Sequence, residues 1–513
     1  MNKAIMTFKI TGIIALFFVF TTSCTGVSKK EKGEELYQMH CARCHIAPDI
    51  NDLPKEFWTD NILPEMAARM GIKDEKFEKY KDMGFDEMQI IHKSGIYPYK
   101  PILNPEDWDI LKNYILDIAP DSLAPIKREK ELLKQKQFVS HSFALDEDPG
   151  SFFTFLKFNT DRNSIWTGDY TGKVIEYDFE SETSSLLHKV ENAVVDYVEK
   201  DTVSYITDIG ILNPSELSTG KIVAAYKDHY ESLPDTLHRP VNNLVVDLNN
   251  NGLEEMVISE FGYLTGQLSL LYLDSTQTYQ KKVLINLPGT IRSIAKDMDN
   301  DGRLDIITLT SQGDESITIL YQQDDLVFKT DKAIRFSPIY GSSWFEMLDY
   351  DGDGDQDIIT VNGDNADKTY VSKPYHGLRI HLNDGNNNFE ETYFYPLYGA
   401  TRFSVNDFDQ DGDIDFAIIS TFPDYQNEPE YSVIYLENQN AETYDFQPYS
   451  FDEANDSRWL LMDIGDVDAD GDMDIILSAF TYVFIPVPNE ITANWDKKNV
   501  DIMVLKNTLN DKK

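Results

Sequence analysis

Five short acidic lines constrain this chain more than anything else in it. They are DLNNNGLEE (247–255), DMDNDGRLD (297–305), DYDGDGDQD (349–357), DFDQDGDID (407–415) and DVDADGDMD (466–474). Their first residues stand 50, 52, 58 and 59 apart, and recurrence at such a period signals a solenoid or propeller built from one repeated unit. The spacing inside each line has its own reason. Side-chain oxygens at positions 1, 3 and 5 of a tight loop can converge on one hard cation. Glycine at position 6 permits the turn, position 7 supplies a carbonyl, a carboxylate at position 9 closes the shell, and calcium accepts such an oxygen cage. Four carboxylates held this close without a cation would repel one another.

The ligand sets read from this pattern are Asp247, Asn249, Asn251 and Glu255; Asp297, Asp299, Asp301 and Asp305; Asp349, Asp351, Asp353 and Asp357; Asp407, Asp409, Asp411 and Asp415; and Asp466, Asp468, Asp470 and Asp474. That is four to five calcium ions, with the first loop weaker because Asn249, Asn251 and Glu255 replace aspartates. An EF-hand is excluded. It needs Glu at position 12 between two helices, whereas position 12 holds Ile258, Thr308, Thr360, Ile418 and Leu477. Each loop runs instead into an apolar, β-favouring segment such as DIITL or DFAII. The arrangement resembles the calcium-binding FG-GAP (VCBS-type) repeats known from the integrin α-subunit propeller. That resemblance implies a β-propeller with calcium in loops between strands.

Five repeats do not close a comfortable ring. Upstream, 152–178 and 194–210 have strand character and turns but no acidic loop, and read as two degenerate blades. A strand from about 137–145 is expected to complete the last blade, giving about seven in a domain of 137–513 and removing exposed sheet edges.

Ahead of the propeller stands YQMHCARCHIAPD (37–49). A structural zinc site wants four N/S ligands, and no second pair of cysteines exists. A redox dithiol belongs at a strand-to-helix junction, but the flanking residues read as helix. Haem accounts for all three residues together: Cys41 and Cys44 add to the porphyrin vinyl groups and His45 becomes an axial iron ligand. Pro48 would offer a carbonyl to the imidazole N–H. This resembles the c-type cytochrome attachment motif, which implies one covalent haem c on a small all-α domain, 30–120, whose last helix is 104–120. Trp58, Ile62 and Met66 recur on one helical face, so Met66 is the candidate distal ligand, with Met70 the alternative and Met83 and His92 behind. The fold class is therefore a small all-α cytochrome c-like domain followed by an all-β propeller, joined by a charged linker at 121–136.

Lys3 and Lys9 precede an apolar run at 10–20 and the small residues TTSC. Eleven such residues are too few to span a bilayer and fit an export signal. Residues 1–24 resemble a bacterial lipoprotein signal, with Cys24 as the lipidated residue, implying an exported protein held at the cell envelope through a lipid anchor. With 46 Lys+Arg against 88 Asp+Glu the formal net charge is −42, a field that repels nucleic acid and anionic lipid. Asp364, Asp367, His376 and Arg379, and likewise His229, His238 and Arg239, could line a binding face or simply cap loops and fill core. No Ser nucleophile motif, phosphate loop or HExxH occurs.

Three functions fit. The first is a tethered electron-transfer protein with a redox partner protein and a propeller that docks a partner or ligand. The second is an oxidoreductase whose propeller oxidises a sugar or alcohol and passes electrons to the haem. The third is an adhesion or glycan-binding module with a haem sensor.

Overall fold

The computed structural model describes residues 28–364, 370–483 and 485–510; the export segment with Cys24, and Asp367, lie outside them. Seven sheets, each built on four antiparallel strands, form a ring. Blade 1 spans 153–189, blade 2 194–232, blade 3 240–285, blade 4 290–335, blade 5 342–396, blade 6 400–450 and blade 7 459–507. The first strand of every blade touches the first strand of the next, including Trp459–Gly465 against Phe153–Asn159, so the ring is closed around a central lumen. The second strands are buried almost throughout. Asp305–Thr310, Asp357–Asn362, Asp415–Ser420 and Asp474–Ala479 are buried at every residue. A strand packed on both faces reads as a continuous apolar run, which is why DIITLT and DFAIIS do not alternate.

Closure is non-covalent, as expected. Blade 7 takes its outermost strand from Phe138–Phe143, paired antiparallel with Ile502–Asn507 from Phe138↔Asn507 to Phe143↔Ile502. The two degenerate segments each grow into a four-stranded blade. The linker is not free. Leu133–Lys134 adds a short parallel strand to the edge of blade 6. Arg128 lies 3.8 Å over the Tyr431 ring and donates to both carboxylate oxygens of Glu428 at 3.0 Å.

One feature repeats in all seven first strands. Their register with the second strand slips at Phe153/Phe155, Val194/Asp196, Pro240/Asn242, Thr290/Arg292, Ser342/Trp344, Ala400/Arg402 and Trp459/Leu461. A bulge adds twist and re-aims side chains, and here it falls at one level of the lumen.

The N-terminal unit is helical. Helix Lys29–Cys41 opens with a capping box of Ser28 and Glu31. It packs along Pro105–Ile118, whose N-terminus is capped by Asn104. Gly33 permits the approach, because a Cβ there would lie 2.5 Å from Tyr114 Cβ. Leu36, Tyr37, Trp58, Leu63, Trp108, Leu111 and Ile115 form its core. The unit rests on one face of the propeller. Glu87 Oε1 accepts from Ser215 Oγ at 2.7 Å and Glu216 N–H at 3.0 Å, and Tyr375 donates its hydroxyl to the Asp52 carbonyl at 3.1 Å. Ile339 and Leu264 add apolar contacts. Those propeller residues sit in loops joining second to third strands or one blade to the next. The acidic lines join first to second strands, so they lie on the opposite face.

Candidate functional site

Each acidic line folds as nested turns around its first residue. Asp407 shows the pattern: Oδ1 accepts from Asp411 N–H and Oδ2 from Gly412 N–H, both at 3.0 Å. Asp297 and Asp466 repeat it. Position 5 then accepts from the amide of position 7, as in Asp301 from Arg303 at 2.9 Å and Asp353 from Asp355 at 3.1 Å. Glycine at position 6 takes φ from +83° to +104°, the conformation the sequence pattern required. Position 4 is also left-handed, at φ +55° to +59° for Asn250, Asn300, Gln410 and Ala469 and +74° for Gly352. The sequence pattern carried no signal for that, since only one of the five is glycine.

The turns bring ligand-type oxygens together. Those of Asp297, Asp299 and Asp305 lie within 4.8 Å of one another, as do those of Asp407, Asp409 and Asp415 and of Asp466, Asp468 and Asp474. In blade 5 the set is Asp349, Asp351 and Asp353. Asp301 is turned to Arg303, with which it forms an ion pair. The line at 247–255 has only two carboxylates at the ligand positions, Asp247 and Glu255. There Asn249 Nδ2 donates at 2.6 Å to Asp325, which the neighbouring blade's outer turn supplies.

Position 9 does more than the loop pattern implied. Asp357 is 1 % exposed, and its oxygens accept from Tyr350 N–H and Asn383 N–H, both at 2.8 Å. Asp305, Asp415 and Asp474 likewise bind the amide of position 2 and an amide at the end of the third strand. This carboxylate pins the loop to the sheet whether or not it also meets a cation.

The electrostatics favour a positive charge. Burial, then neighbouring carboxylates, pushes Asp409 and Asp413 up to about 6. Burial pushes Asp415 and Asp474 up to about 7. Asp472 is 1 % exposed and its Oδ1 accepts no hydrogen bond from any described residue; the same holds for one buried oxygen each of Asp355, Asp413 and Asp470. Buried carboxylate oxygens without donors are costly, and a hard cation is the group that would satisfy them.

On the other face, Cys41 ends the first helix and packs against the apolar core, its thiol pushed up to about 12 by burial. Cys44 is exposed and His45 half-buried. His45 Nδ1 lies 2.7 Å from the Ile46 carbonyl, while the Pro48 carbonyl accepts from the Tyr37 hydroxyl. The expected His45–Pro48 contact is therefore replaced, because the buried Tyr37 hydroxyl needs an acceptor. Trp58–Ile62 forms a π-turn before helix Leu63–Arg69, which shifts the helical phase assumed for Trp58, Ile62 and Met66. The face that enters the core carries Leu63, Ala67 and Met70. Met66 is half-buried and belongs to none of the apolar clusters of the described residues.

The remaining candidates support loops. Arg379 is 3 % exposed and donates to Asn362 Oδ1 at 2.9 Å and the Tyr375 carbonyl at 2.7 Å. His376 is buried, which holds its imidazole neutral, and Asp364 N–H donates to the Gly341 carbonyl. His238 Nε2 lies 3.1 Å from the Ser215 carbonyl, and Arg239 Nη2 donates to the Leu212 carbonyl at 2.9 Å. His229 is exposed and stacks on Tyr226. Several of these brace the loops on which the helical unit rests.

Residues 297–360 and 407–477 match the family model described as FG-GAP-like repeat, so the chain carries FG-GAP-like repeats in a seven-bladed β-propeller. No curated protein matches the sequence. Among solved structures, the N-terminal domain of Nup159 is 11 % identical, with a TM-score of 0.42 over 74 % of this chain and 98 % of that one. The Neurospora crassa Pan2 WD40 domain is 10 % identical, with the same score and coverage. A Lactobacillus plantarum protein gives 11 % and 0.38 over 58 % of this chain and 85 % of its own.

Proposed function

We propose that this chain is an envelope-tethered c-type haem electron-transfer protein whose calcium-stabilised propeller docks a partner or ligand. The observation that carries the haem reading is the constellation at the end of the first helix. Cys41 faces the apolar core, Cys44 and His45 follow at the surface, and Met39, Ile46 and Ile102 leave apolar surface exposed on the same small unit. These residues fit a porphyrin bound through two thioethers. Haem, when bound, supplies a one-electron couple, and a thioether sixth ligand closes the iron to substrates. Met66 suits that ligand because Met70 is already committed to the core. The calcium reading is supported by the donor-free carboxylate oxygens of the acidic loops. Ions there would brace the blades of a protein whose three cysteines leave no spare disulfide. Cys24 is the proposed lipid attachment point.

A second reading, in which the propeller oxidises a sugar or alcohol, has one observation in its favour. The lumen carries the charged side chains of Arg292 and Arg402 toward the end that faces the helical unit. One preparation separates the two readings. Haem should stay with the chain after acid–acetone extraction, and Cys41→Ala with Cys44→Ala should abolish that. Covalent haem in the double variant would overturn the attachment. Reduction of the oxidised haem α-band by sugars or alcohols, with or without an added quinone cofactor, would select the enzyme; reduction only by dithionite would select the carrier.

A further inference from the structure

The seven register slips place Arg292, Trp344 and Arg402 at the same level of three consecutive first strands. Each is the third residue of its strand, toward the end facing the helical unit. Trp344, on the middle blade, has the guanidinium of Arg292 at 3.8 Å and that of Arg402 at 3.8 Å from its ring centre. The two arginines come from blades on either side, so the indole is held between them. Glu346 fixes one half of this stack. It accepts from Arg292 Nη1 and Nη2 at 2.8 and 3.0 Å and from Trp344 Nε1 at 2.8 Å.

The other half has no such partner. Arg402 makes no hydrogen bond or ion pair with any described residue. Protein surrounds it, yet it keeps part of its surface accessible from the lumen. A guanidinium has five N–H donors in a fixed fork, and those of Arg402, unlike the sealed nitrogens of Arg458, stay open to solvent and so to an acceptor from solution. Burial, followed by the like charge of Arg292, pulls its affinity for its proton down to about 9, which is the condition an anion would relieve. Two carboxylates reach Arg402 with their field: Asp463, on the adjoining blade 7, and Asp196, across the lumen on blade 2. Asp463 accepts from Phe158 N–H at 2.7 Å and Ile464 N–H at 2.9 Å; Asp196 accepts from Asn243 N–H at 2.8 Å, Asn242 Nδ2 at 3.0 Å and Tyr197 N–H at 2.8 Å. Each carboxylate has about four lone-pair sites, so both retain acceptor capacity.

We propose that the lumen of the propeller is a binding site for a small polyhydroxylated monocarboxylate, a sugar acid, whose carboxylate is held by Arg402 and whose hydroxyls donate to Asp463 and Asp196. The fork of Arg402 matches a carboxylate in two parallel hydrogen bonds. Lys157 stands near both acids and Arg292 is paired with Glu346, so the three acids offset the three cations; that balance leaves no excess positive charge for a doubly charged anion such as phosphate, while the carboxylates reward hydroxyl donors. The site stands on propeller residues alone and holds whether or not the helical unit carries haem.

The test is isothermal titration of the full-length protein with sodium gluconate and sodium galacturonate at constant ionic strength. Acetate, galactose and inorganic phosphate serve as comparisons, and tryptophan fluorescence is followed in parallel. A saturable isotherm for a sugar acid is expected, with acetate, galactose and phosphate all weaker. Arg402→Gln should weaken it by about tenfold or more, the loss expected for a hydrogen bond to a charged group, with the melting temperature showing that the ring is intact. Arg402→Lys keeps the charge but loses the fork and should fall in between. If Arg402→Gln fails to fold, Arg402→Lys decides: affinity equal to the unaltered protein overturns the proposal, weaker affinity upholds it. No saturable binding of either sugar acid, galactose or phosphate binding as tightly, or an unaffected Arg402→Gln would each overturn it.

Discussion

Substituting Asp357 separates the two roles of the acidic loops. If position 9 were only a cation ligand, its loss would cost nothing in protein stripped of metal. The structure gives it a second role, because Tyr350 N–H and Asn383 N–H, both 2.8 Å from its oxygens, have it as their acceptor. Asp357→Ala leaves two buried donors unsatisfied, at about 1–3 kcal/mol each, so roughly 2–6 kcal/mol in total. Burial already raises the pKa of this carboxylate, and removing a destabilised charge returns part of that loss. The expectation therefore sits toward the lower half, about 2–4 kcal/mol. Asp357→Asn keeps one acceptor oxygen and should lose about half as much. Asp353→Ala, at the exposed position 5 of the same loop, should be nearly silent without metal. The assay is urea unfolding in EGTA followed by tryptophan fluorescence, with an m-value of about 3 kcal/mol/M or more for a domain this large. Asp357→Ala should then move the midpoint by roughly 1 M. An unchanged midpoint in EGTA would refute the pinning role.

Three further outcomes follow from the same geometry. Asp409, Asp415 and Asp474 are raised in the fold to about 6, 7 and 7. Their contribution to the metal-free protein is fully present below about pH 4 and is lost as pH rises through 6 to 7. EGTA-treated protein should melt higher at pH 5 than at pH 8, while the gain from added calcium should grow with pH; a calcium effect independent of pH across that window would count against carboxylate ligation. Ala469 sits at φ +58° where the other loops place Asn, Gln or Gly, so Ala469→Gly should raise stability by about 1 kcal/mol in urea melts with or without calcium. On the proposed haem ligation, Met66→Ala should abolish the weak far-red band that marks a Met–haem bond, with little change in melting temperature. Met70→Ala should instead lower the melting temperature through its core packing, and loss of the band only in Met70→Ala would reassign the ligand.

The propeller was legible because its sequence is periodic in the way its structure is. Loop spacing, glycine at position 6 and unalternating second strands such as Asp415–Ser420 all report local geometry. Closure by Phe138–Phe143 was legible too, since an incomplete last repeat leaves an edge that some segment must cover. What could not be read are relations between blades. Nothing in the spacing of the repeats tells that Asp325 will meet Asn249, or that Arg292, Trp344 and Arg402 will share one level, because each lies in a different repeat. The pinning role of position 9 was hidden for a related reason: its partners are backbone amides, which nearly every residue carries. In the helical unit the Trp58–Ile62 π-turn broke the assumed period of 3.6. Trp58 and Ile62 therefore pack on the core while Met66, counted onto the same face, stays half-buried outside it.

The arrangement of the two faces limits what a cation in the acidic loops can do. First strands run six or seven residues from the face bearing the helical unit to the face bearing the loops, about 20 Å at 3.3 Å per residue. A divalent charge that far from the thiol–imidazole motif, across a solvated lumen, is largely screened at physiological salt. Metal at the loops should therefore act on the proposed haem site only through the stiffness of the blades. Links of that path are visible: position 9 joins loop to third strand, and Asp196, Asn242 and Asp463 tie three of the seven first strands to an amide of the next. At the far end, Glu87 and Tyr375 fasten the helices to loops of blades 2 and 5. Chelation that loosens the ring should consequently loosen the docking of the helical unit before it perturbs the environment of His45. If the chain carries the proposed haem, limited proteolysis within 121–136, faster in EGTA while the haem spectrum stays unchanged, is the expected sign; a spectrum that shifts before the linker becomes cleavable would mean the coupling runs by another route.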